Sequence, residues 1–130
     1  MKKSIFTVML FVAATIFANA QVKTPAASPS AKVIQTVGMT EVEIAYSRPS
    51  MRGREIFGGL VPFDKVWRTG ANASTKISFD KDVSIAGNDL KKGTYALYTI
   101  PGKDEWTIII HNNITHWGSG GYKVEEDAFR

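Results

Sequence analysis

The sequence predicts an all-β fold, a single antiparallel β-sandwich, from three observations. Apolar and polar residues alternate with a period of two in several segments, clusters of turn-forming residues separate these segments, and no stretch has helical spacing. The chain of 130 residues, with 44% apolar side chains, has a length and composition typical of one globular domain.

The clearest strand signal lies at residues 40–46. Val42, Ile44 and Tyr46 share one face of this segment, and glutamates occupy the other. One packed face and one solvated face are typical of an antiparallel sheet. Residues 32–37 are predicted to pair with this strand across a short turn.

Later segments continue the pattern, with strands predicted at residues 75–79, 83–85, 94–100 and 106–111. Three adjacent isoleucines, Ile108 to Ile110, indicate burial on both faces and therefore a strand inside the sheet. The apolar pair at 128–129 suggests that another strand begins where the sequence stops. We therefore expect either an unpaired edge or a sandwich truncated at its C-terminus.

Residues 1–20 have the plan of a secretory signal peptide, followed by a flexible leader at 21–31 and the domain at 32–130. Two lysines precede an apolar stretch of thirteen residues, which ends before an Ala-Asn-Ala cleavage site. As a helix this stretch covers about 20 Å, short of the roughly 30 Å hydrocarbon core. We therefore expect cleavage and a periplasmic or extracellular protein with no membrane span.

The composition excludes several function classes. Removal of the two signal lysines leaves 14 basic against 12 acidic residues, a net charge of +2. This excess is too small to predict nucleic-acid binding. The chain contains no cysteine, which excludes disulfides, thiol catalysis, iron–sulfur clusters and Cys-ligated zinc.

The most unusual feature is the segment of 27 residues between the strand ending at Ser47 and the strand starting at Thr75. Loops beyond about 12–15 residues are uncommon in compact domains and are often functional. This loop, residues 48–74, contains apolar residues and four of the five arginines in the chain: Arg48, Arg52, Arg54 and Arg68. A guanidinium group can donate two parallel hydrogen bonds to one carboxylate or phosphate. The alternative interpretation is a packed strut, in which the arginines bind backbone carbonyls and sheet carboxylates.

Other candidate chemistry is weaker. His111 and His116 would point to opposite faces of a strand, although a bend at 112–113 could bring them together with Asp104 or Glu105 around zinc. That spacing matches no known ligand pattern, so we predict no metal site. Acidic pairs such as 41/43 and 80/82 are typical of a solvated strand face. We predict no catalytic residues and no cofactor.

The tryptophans offer a further interpretation. Trp67, Trp106 and Trp117 could form a platform on which sugars stack, although aromatic residues of β-sandwiches more often belong to the core.

Several motifs carry a resemblance to a family of exported bacterial proteins, catalogued as domain of unknown function 2911. The matching segments are YSRPS (46–50), RGREIFG (52–58), LVPF (60–63), KVWRTGAN (65–72), KGTY (92–95), TIPG (99–102), EWT (105–107) and WG (117–118). The resemblance spans roughly Val33 to Trp117. It implies a β-rich exported domain in a bacterial envelope, with no established activity. It also implies a chain that usually continues beyond Arg130.

These observations predict an exported, non-enzymatic module that binds a small anionic or carbohydrate ligand through its Arg-rich loop. The predicted ligand-binding residues are Arg48, Arg52, Arg54, Trp67, Arg68 and Asn72. The alternative is a structural or protein-interaction module of the cell envelope, in which the loop is a strut and an exposed strand edge recruits a partner protein. A hydrolase is the least favoured class.

Overall fold

A computed structural model describes residues 24–130 of the chain, and these residues form an all-β fold. Their regular elements are β1 (Ser30–Val37), β2 (Thr40–Ser47), β3 (Thr75–Phe79), β4 (Val83–Ile85), β5 (Asn88–Leu90), β6 (Gly93–Pro101), β7 (Trp106–His111), one turn of 3₁₀ helix (Val124–Glu126) and β8 (Asp127–Phe129). All strand pairings within and between these elements are antiparallel. The all-β, antiparallel prediction is confirmed.

The six-stranded sheet has the order β1-β2-β3-β6-β7-β8, and β4 pairs with β5 in a separate hairpin. The β4–β5 hairpin lies between β3 and β6 in the chain but outside the six-stranded sheet, in which β3 and β6 pair directly. The short β8 pairs with β7 at Ile110 and His111, where a register shift interrupts the ladder. The apolar pair at 128–129 therefore belongs to a strand.

The first two strands form the hairpin that the sequence predicts. Their register runs from Ser30 opposite Ser47 to Val37 opposite Thr40. The connection begins with Gly38, whose φ of 61° suits glycine at the first position of a tight hairpin loop. β1 begins at Ser30, two residues before the predicted start of the domain.

Each face of the sheet has its own apolar cluster. On one face Phe79 and Ile110 pack with Leu90 from the β4–β5 hairpin. On the other face Ala96, Tyr98 and Ile109 pack with Val66 from the loop and Tyr122 from the segment after β7. Because successive side chains of a strand alternate, Ile109 and Ile110 serve opposite clusters.

The isoleucine run is buried at two of its three positions. Ile109 is 0% exposed and Ile110 is 3% exposed, whereas Ile108 is 49% exposed. Strand β7 lies inside the sheet, between β6 and β8. Burial on both faces is therefore limited to the half of β7 that β8 and the flanking segments cover.

The long loop at 48–74 contains no helix and none of the eight strands, but it is bound to the sheet. The amide of Trp67 donates to the carbonyl of Thr99 at 2.7 Å, and the amide of Thr99 donates back at 3.0 Å. The amide of Asp64 donates to the carbonyl of Pro101 at 2.9 Å. These bonds attach the loop to β6 beyond the end of β3.

The predicted signal peptide and the first three residues of the predicted leader lie outside the described residues, whereas the rest of the leader is described and its last two residues belong to β1. Within residues 24–130, no helix has the length and apolar character needed to cross a membrane.

We expect Ile109→Ala to lower the free energy of unfolding by about 2–5 kcal/mol, because the substitution leaves a cavity in a fully buried cluster. The matched control is Ile108→Ala in the same strand, which should cost less than about 1 kcal/mol at a half-exposed site. Chemical denaturation followed by tryptophan fluorescence measures both. Equal losses would show that the two sides of β7 are buried to the same extent.

Candidate functional site

The long loop encloses a cavity of about 520 Å³, within the range of roughly 300–1,000 Å³ that is typical of small-molecule sites. This loop cavity has walls that include Arg54, Leu60, Lys65, Trp67, Arg68 and Asn72. Ser28, before β1, and Ser119, in the segment after β7, complete its rim. Three separate parts of the chain therefore meet at the cavity.

The loop cavity is positively charged. Among the described residues that line it, Arg54, Lys65 and Arg68 carry positive charge and none carries a carboxylate. A concave surface with charge of one sign concentrates its field in the opening and attracts ions of the opposite sign. The charged groups that line the loop cavity therefore give its opening a positive field.

Arg68 is the most constrained of these cations. Its backbone carbonyl accepts from the amide of Thr75 at 3.1 Å, and its neighbour Trp67 is bonded to β6. The Nε atom of Arg68 is buried and has no hydrogen-bond partner in the described part of the chain. A buried donor left without an acceptor costs about 1–3 kcal/mol, and more when the group is charged.

The residue after Arg68 has a strained backbone. Thr69 has a φ of 55°, which is unusual for a β-branched residue. Such a conformation costs about 1–3 kcal/mol and persists only where the surroundings enforce it. The hydroxyl of Thr75 donates to the carbonyl of Thr69 at 2.8 Å, and the hydroxyls of Thr69 and Thr99 are 3.2 Å apart. Hydrogen bonds to two strands thus hold the backbone beside the cavity.

The predicted ligand-binding residues fall into two groups. Arg54, Trp67, Arg68 and Asn72 line the loop cavity, whereas Arg48 and Arg52 are exposed outside it. Asn72 has a φ of 61°, and its amide lies 3.4 Å from both the carbonyl of Ser28 and the hydroxyl of Ser47.

Lys65 lines the cavity as well, although it is not among the predicted binding residues. Lys65 lies in the same loop as the four arginines, and this position is the signal by which the sequence could have identified it.

Arg54 behaves largely as the strut interpretation describes. Its Nε donates to the carbonyl of Met51 at 3.0 Å, and its Nη2 donates to the carbonyl of Ser50 at 2.8 Å. These bonds close a turn within the loop. Arg54 therefore contributes positive charge and a fixed wall to the cavity. The Nε of Arg68, in contrast, has no acceptor among the described residues.

Trp67 belongs to an aromatic cluster as well as to the cavity wall. Its ring lies edge-on to Phe57 and Trp106, with centroid separations of 5.9 and 6.4 Å. Its indole N–H donates to the carbonyl of Gly70 at 3.2 Å. Trp117, at 75% exposure, has no part in this cluster. The three tryptophans therefore do not form one stacking platform.

A second group of polar residues, the histidine cluster, consists of His111, His116, Glu126 and Asp127. Of the two arrangements considered for these histidines, the structure has the one with a bend: the chain after β7 folds back and brings the two imidazole centroids to 5.8 Å. Nε2 of His116 lies 3.1 Å from Oε2 of Glu126, and Nε2 of His111 lies 3.3 Å from the same oxygen. The carboxylate is Glu126, not the Asp104 or Glu105 that the sequence suggested. Only tertiary folding identifies it.

Asp127 organises the buried side of this cluster. One oxygen lies 2.8 Å from Nδ1 of His111, while the other accepts from the Tyr122 hydroxyl at 2.7 Å and from Arg130 Nη2 at 2.6 Å. Burial and the hydrogen bond to Asp127 raise the pKa of Tyr122 to about 12. The hydrogen bond between His116 and Glu126 lowers the pKa of the Glu126 carboxyl.

The sequence between Ser28 and Arg130 matches one known family model, described as "Protein of unknown function (DUF2911)". The chain belongs to the DUF2911 family. The match covers residues 28–130, and therefore all eight strands, the loop cavity and the histidine cluster of this DUF2911 protein. Comparison with curated proteins and with solved structures gave no significant match.

In this DUF2911 protein, we expect Thr75→Val to lower the free energy of unfolding by about 1–3 kcal/mol. The substitution removes the buried hydroxyl that holds the strained Thr69 carbonyl. Thr94→Val is the matched control, because its hydroxyl is exposed and its removal should change stability by about 0.5 kcal/mol or less. Urea denaturation compares the two variants. A neutral Thr75→Val would mean that this bond does not hold the loop.

Proposed function

We propose that the protein is an exported, non-enzymatic module whose loop cavity binds a small anionic ligand, such as a sugar phosphate or a sugar acid. The observation that carries the proposal is a cavity lined by three cations and, among the described residues, by no carboxylate. The export component is based on the signal-like sequence of residues 1–20.

Arg68 is the proposed anchor for the anionic group. Its guanidinium can offer two parallel N–H donors to a carboxylate or phosphate, and charge-assisted bonds of this kind are among the strongest hydrogen bonds in proteins. Its Nε is buried without a partner among the described residues, so no internal acceptor is seen to compete with a ligand at this atom. Lys65 supplies a second cation on the same wall.

The remaining walls suit the uncharged body of such a ligand. Leu60, Val66 and Trp67 give the cavity an apolar surface, and Asn72 and Ser119 offer polar groups that a hydroxylated ligand can reach. The described lining contains neither a histidine nor a carboxylate that could act as a general acid or base. This composition supports binding rather than catalysis.

A second candidate function is recruitment of a partner protein at the edge strand β1. Its eight residues are largely exposed, and Val33, Ile34 and Val37 are 50%, 54% and 61% exposed. A long edge strand with apolar side chains can accept an added strand from another chain. This function would depend on β1 and not on Arg68.

For the ligand, we expect glucose 6-phosphate or galacturonate to raise the melting temperature, while the neutral parent sugars have no effect. Removal of one charge-assisted bond costs about 1.5–3 kcal/mol, so Arg68→Gln should weaken binding by about 10–150-fold in calorimetric titration. Arg52→Gln, outside the cavity, is the matched control and should bind as tightly as the wild type.

The ligand proposal is contradicted in either of two cases. In the first, none of the anionic sugars shifts the melting temperature. In the second, Arg68→Gln unfolds the protein without any ligand-dependent effect, which would make Arg68 a structural residue.

For export, we expect a bacterial host to release a mature chain that begins at Gln21, because the Ala18-Asn19-Ala20 motif fits the cleavage site. Mass spectrometry of the periplasmic fraction measures the start of the chain. Ala20→Phe is the control, since a bulky residue at the cleavage position should leave the precursor uncut. A full-length wild-type chain in the cytoplasm would contradict the export component alone.

A further inference from the structure

The histidine cluster contains a buried nitrogen that lacks a suitable partner. His111, the last residue of β7, has a side chain that is 0% exposed. Its Nε2 has no hydrogen bond in the described part of the chain. The nearest polar atom, Oε2 of Glu126, is 3.3 Å away without the alignment of a hydrogen bond. Buried polar atoms are usually paired, so this atom requires an explanation.

The environment of Asp127 determines which ring nitrogen of a neutral His111 holds the proton. Asp127 accepts hydrogen bonds from Tyr122 and Arg130, and it therefore acts as a carboxylate acceptor toward Nδ1 of His111. With the proton on Nδ1, the lone pair of Nε2 faces the carboxylate oxygen of Glu126. A buried lone pair and a carboxylate oxygen repel each other at this distance unless a cation, either a metal ion or a proton, lies between them.

We propose that His111, His116 and Glu126 bind a divalent transition metal ion, with zinc as the first candidate. The three ligand atoms all lie within 4.8 Å of one another. Two ligands on a tetrahedral zinc, each about 2.0–2.2 Å from the ion, are separated by roughly 3.4 Å. Glu126 Oε2 lies 3.3 Å from His111 Nε2 and 3.1 Å from His116 Nε2, so both separations suit a shared ion.

Asp127 supports the site as a positioning residue. Metal-binding histidines commonly donate their second ring N–H to a carboxylate, which fixes the tautomer and the orientation of the ring. Asp127 occupies this position behind His111 at 2.8 Å, and its own side chain is 7% exposed. The proposed ligands are thus supported by a carboxylate that does not itself bind the ion, as is common in metal sites of proteins.

Contacts of the surrounding backbone hold the proposed ligands in position. The amide and side chain of Asn112 both donate to the carbonyl of Glu126, at 2.9 and 3.1 Å, and so hold the 3₁₀ turn against the end of β7. Gly121 packs against the ring of His116, since a Cβ atom there would lie 2.5 Å from Nδ1. Glycine at this position allows His116 to reach the cluster.

The site opens toward solvent on one side. The His116 side chain is 18% exposed and that of Glu126 is 31% exposed, whereas His111 is enclosed. A set of two histidines and one carboxylate with an accessible side is typical of zinc sites that keep one exchangeable position and of non-haem iron sites. A water molecule could complete the coordination there.

The test uses metal-free protein titrated with Zn²⁺ alone by calorimetry and by competition with a chromophoric chelator. We expect one ion per chain, a higher melting temperature, and visible absorption when Co²⁺ replaces Zn²⁺. His111 is part of the core, so the partly exposed ligands His116 and Glu126 are the ones to replace. His116→Gln and Glu126→Gln should abolish stoichiometric binding. Glu125→Gln, in the same 3₁₀ turn but outside the cluster, should bind as the wild type does.

Two further variants separate a metal site from a set of ion pairs. Asp127→Asn should weaken Zn²⁺ binding by about 10–100-fold while leaving all three ligands in place. Gly121→Ala should weaken it too, by displacing the His116 ring. If the wild type binds no stoichiometric Zn²⁺, or if His116→Gln and Glu126→Gln bind it as tightly as the wild type, the proposal is overturned. The histidine cluster would then be a hydrogen-bonded structural element and not a metal site.

Discussion

The backbone pairing of Trp67 with Thr99 is the interaction on which the loop and its cavity depend. Without it, residues 48–74 would be a connection far longer than compact domains usually tolerate. The two reciprocal hydrogen bonds place the loop beside β6 in the position that β3 no longer fills. They also set the direction in which the chain enters Arg68. The strained φ of Thr69 is a consequence, since the chain must turn sharply there to reach Thr75 at the start of β3.

The strands could be predicted from the sequence because their signals are local. Alternation between apolar and acidic residues in β2 is a signal within the strand itself, and its recognition needs no knowledge of the partner strands. The exposure of Ile108 is different. Ile108 shares a face with the buried Ile110 but is 49% exposed, and β8 pairs with β7 only near Ile110 and His111. A nonlocal contact of this kind leaves no trace in the isoleucine run itself.

The same distinction separates the two sites. The cavity was foreseeable in outline because its cations cluster in one stretch of sequence, although only the fold distinguishes Arg68, with its unpartnered Nε, from Arg54, which is bound to its own turn. Of the histidine cluster, the sequence indicated only that a bend could bring the two imidazoles together, because the carboxylate that joins them is ten residues beyond His116 and reaches them through the 3₁₀ turn. Two histidines five apart match no ligand pattern when they are considered in isolation.

The segment from His116 to Tyr122 contacts both sites, so the sites are not independent parts of the molecule. His116 and Gly121 belong to the histidine cluster, while Ser119 lines the loop cavity. Between them the carbonyl of Gly118 accepts from the hydroxyl of Tyr98, whose ring is fully buried in the core. A ligand of the proposed metal site and a residue that lines the cavity therefore lie three residues apart on one short segment. Any coupling between the two proposed sites would be reciprocal, because each ligand would change the affinity for the other by the same factor.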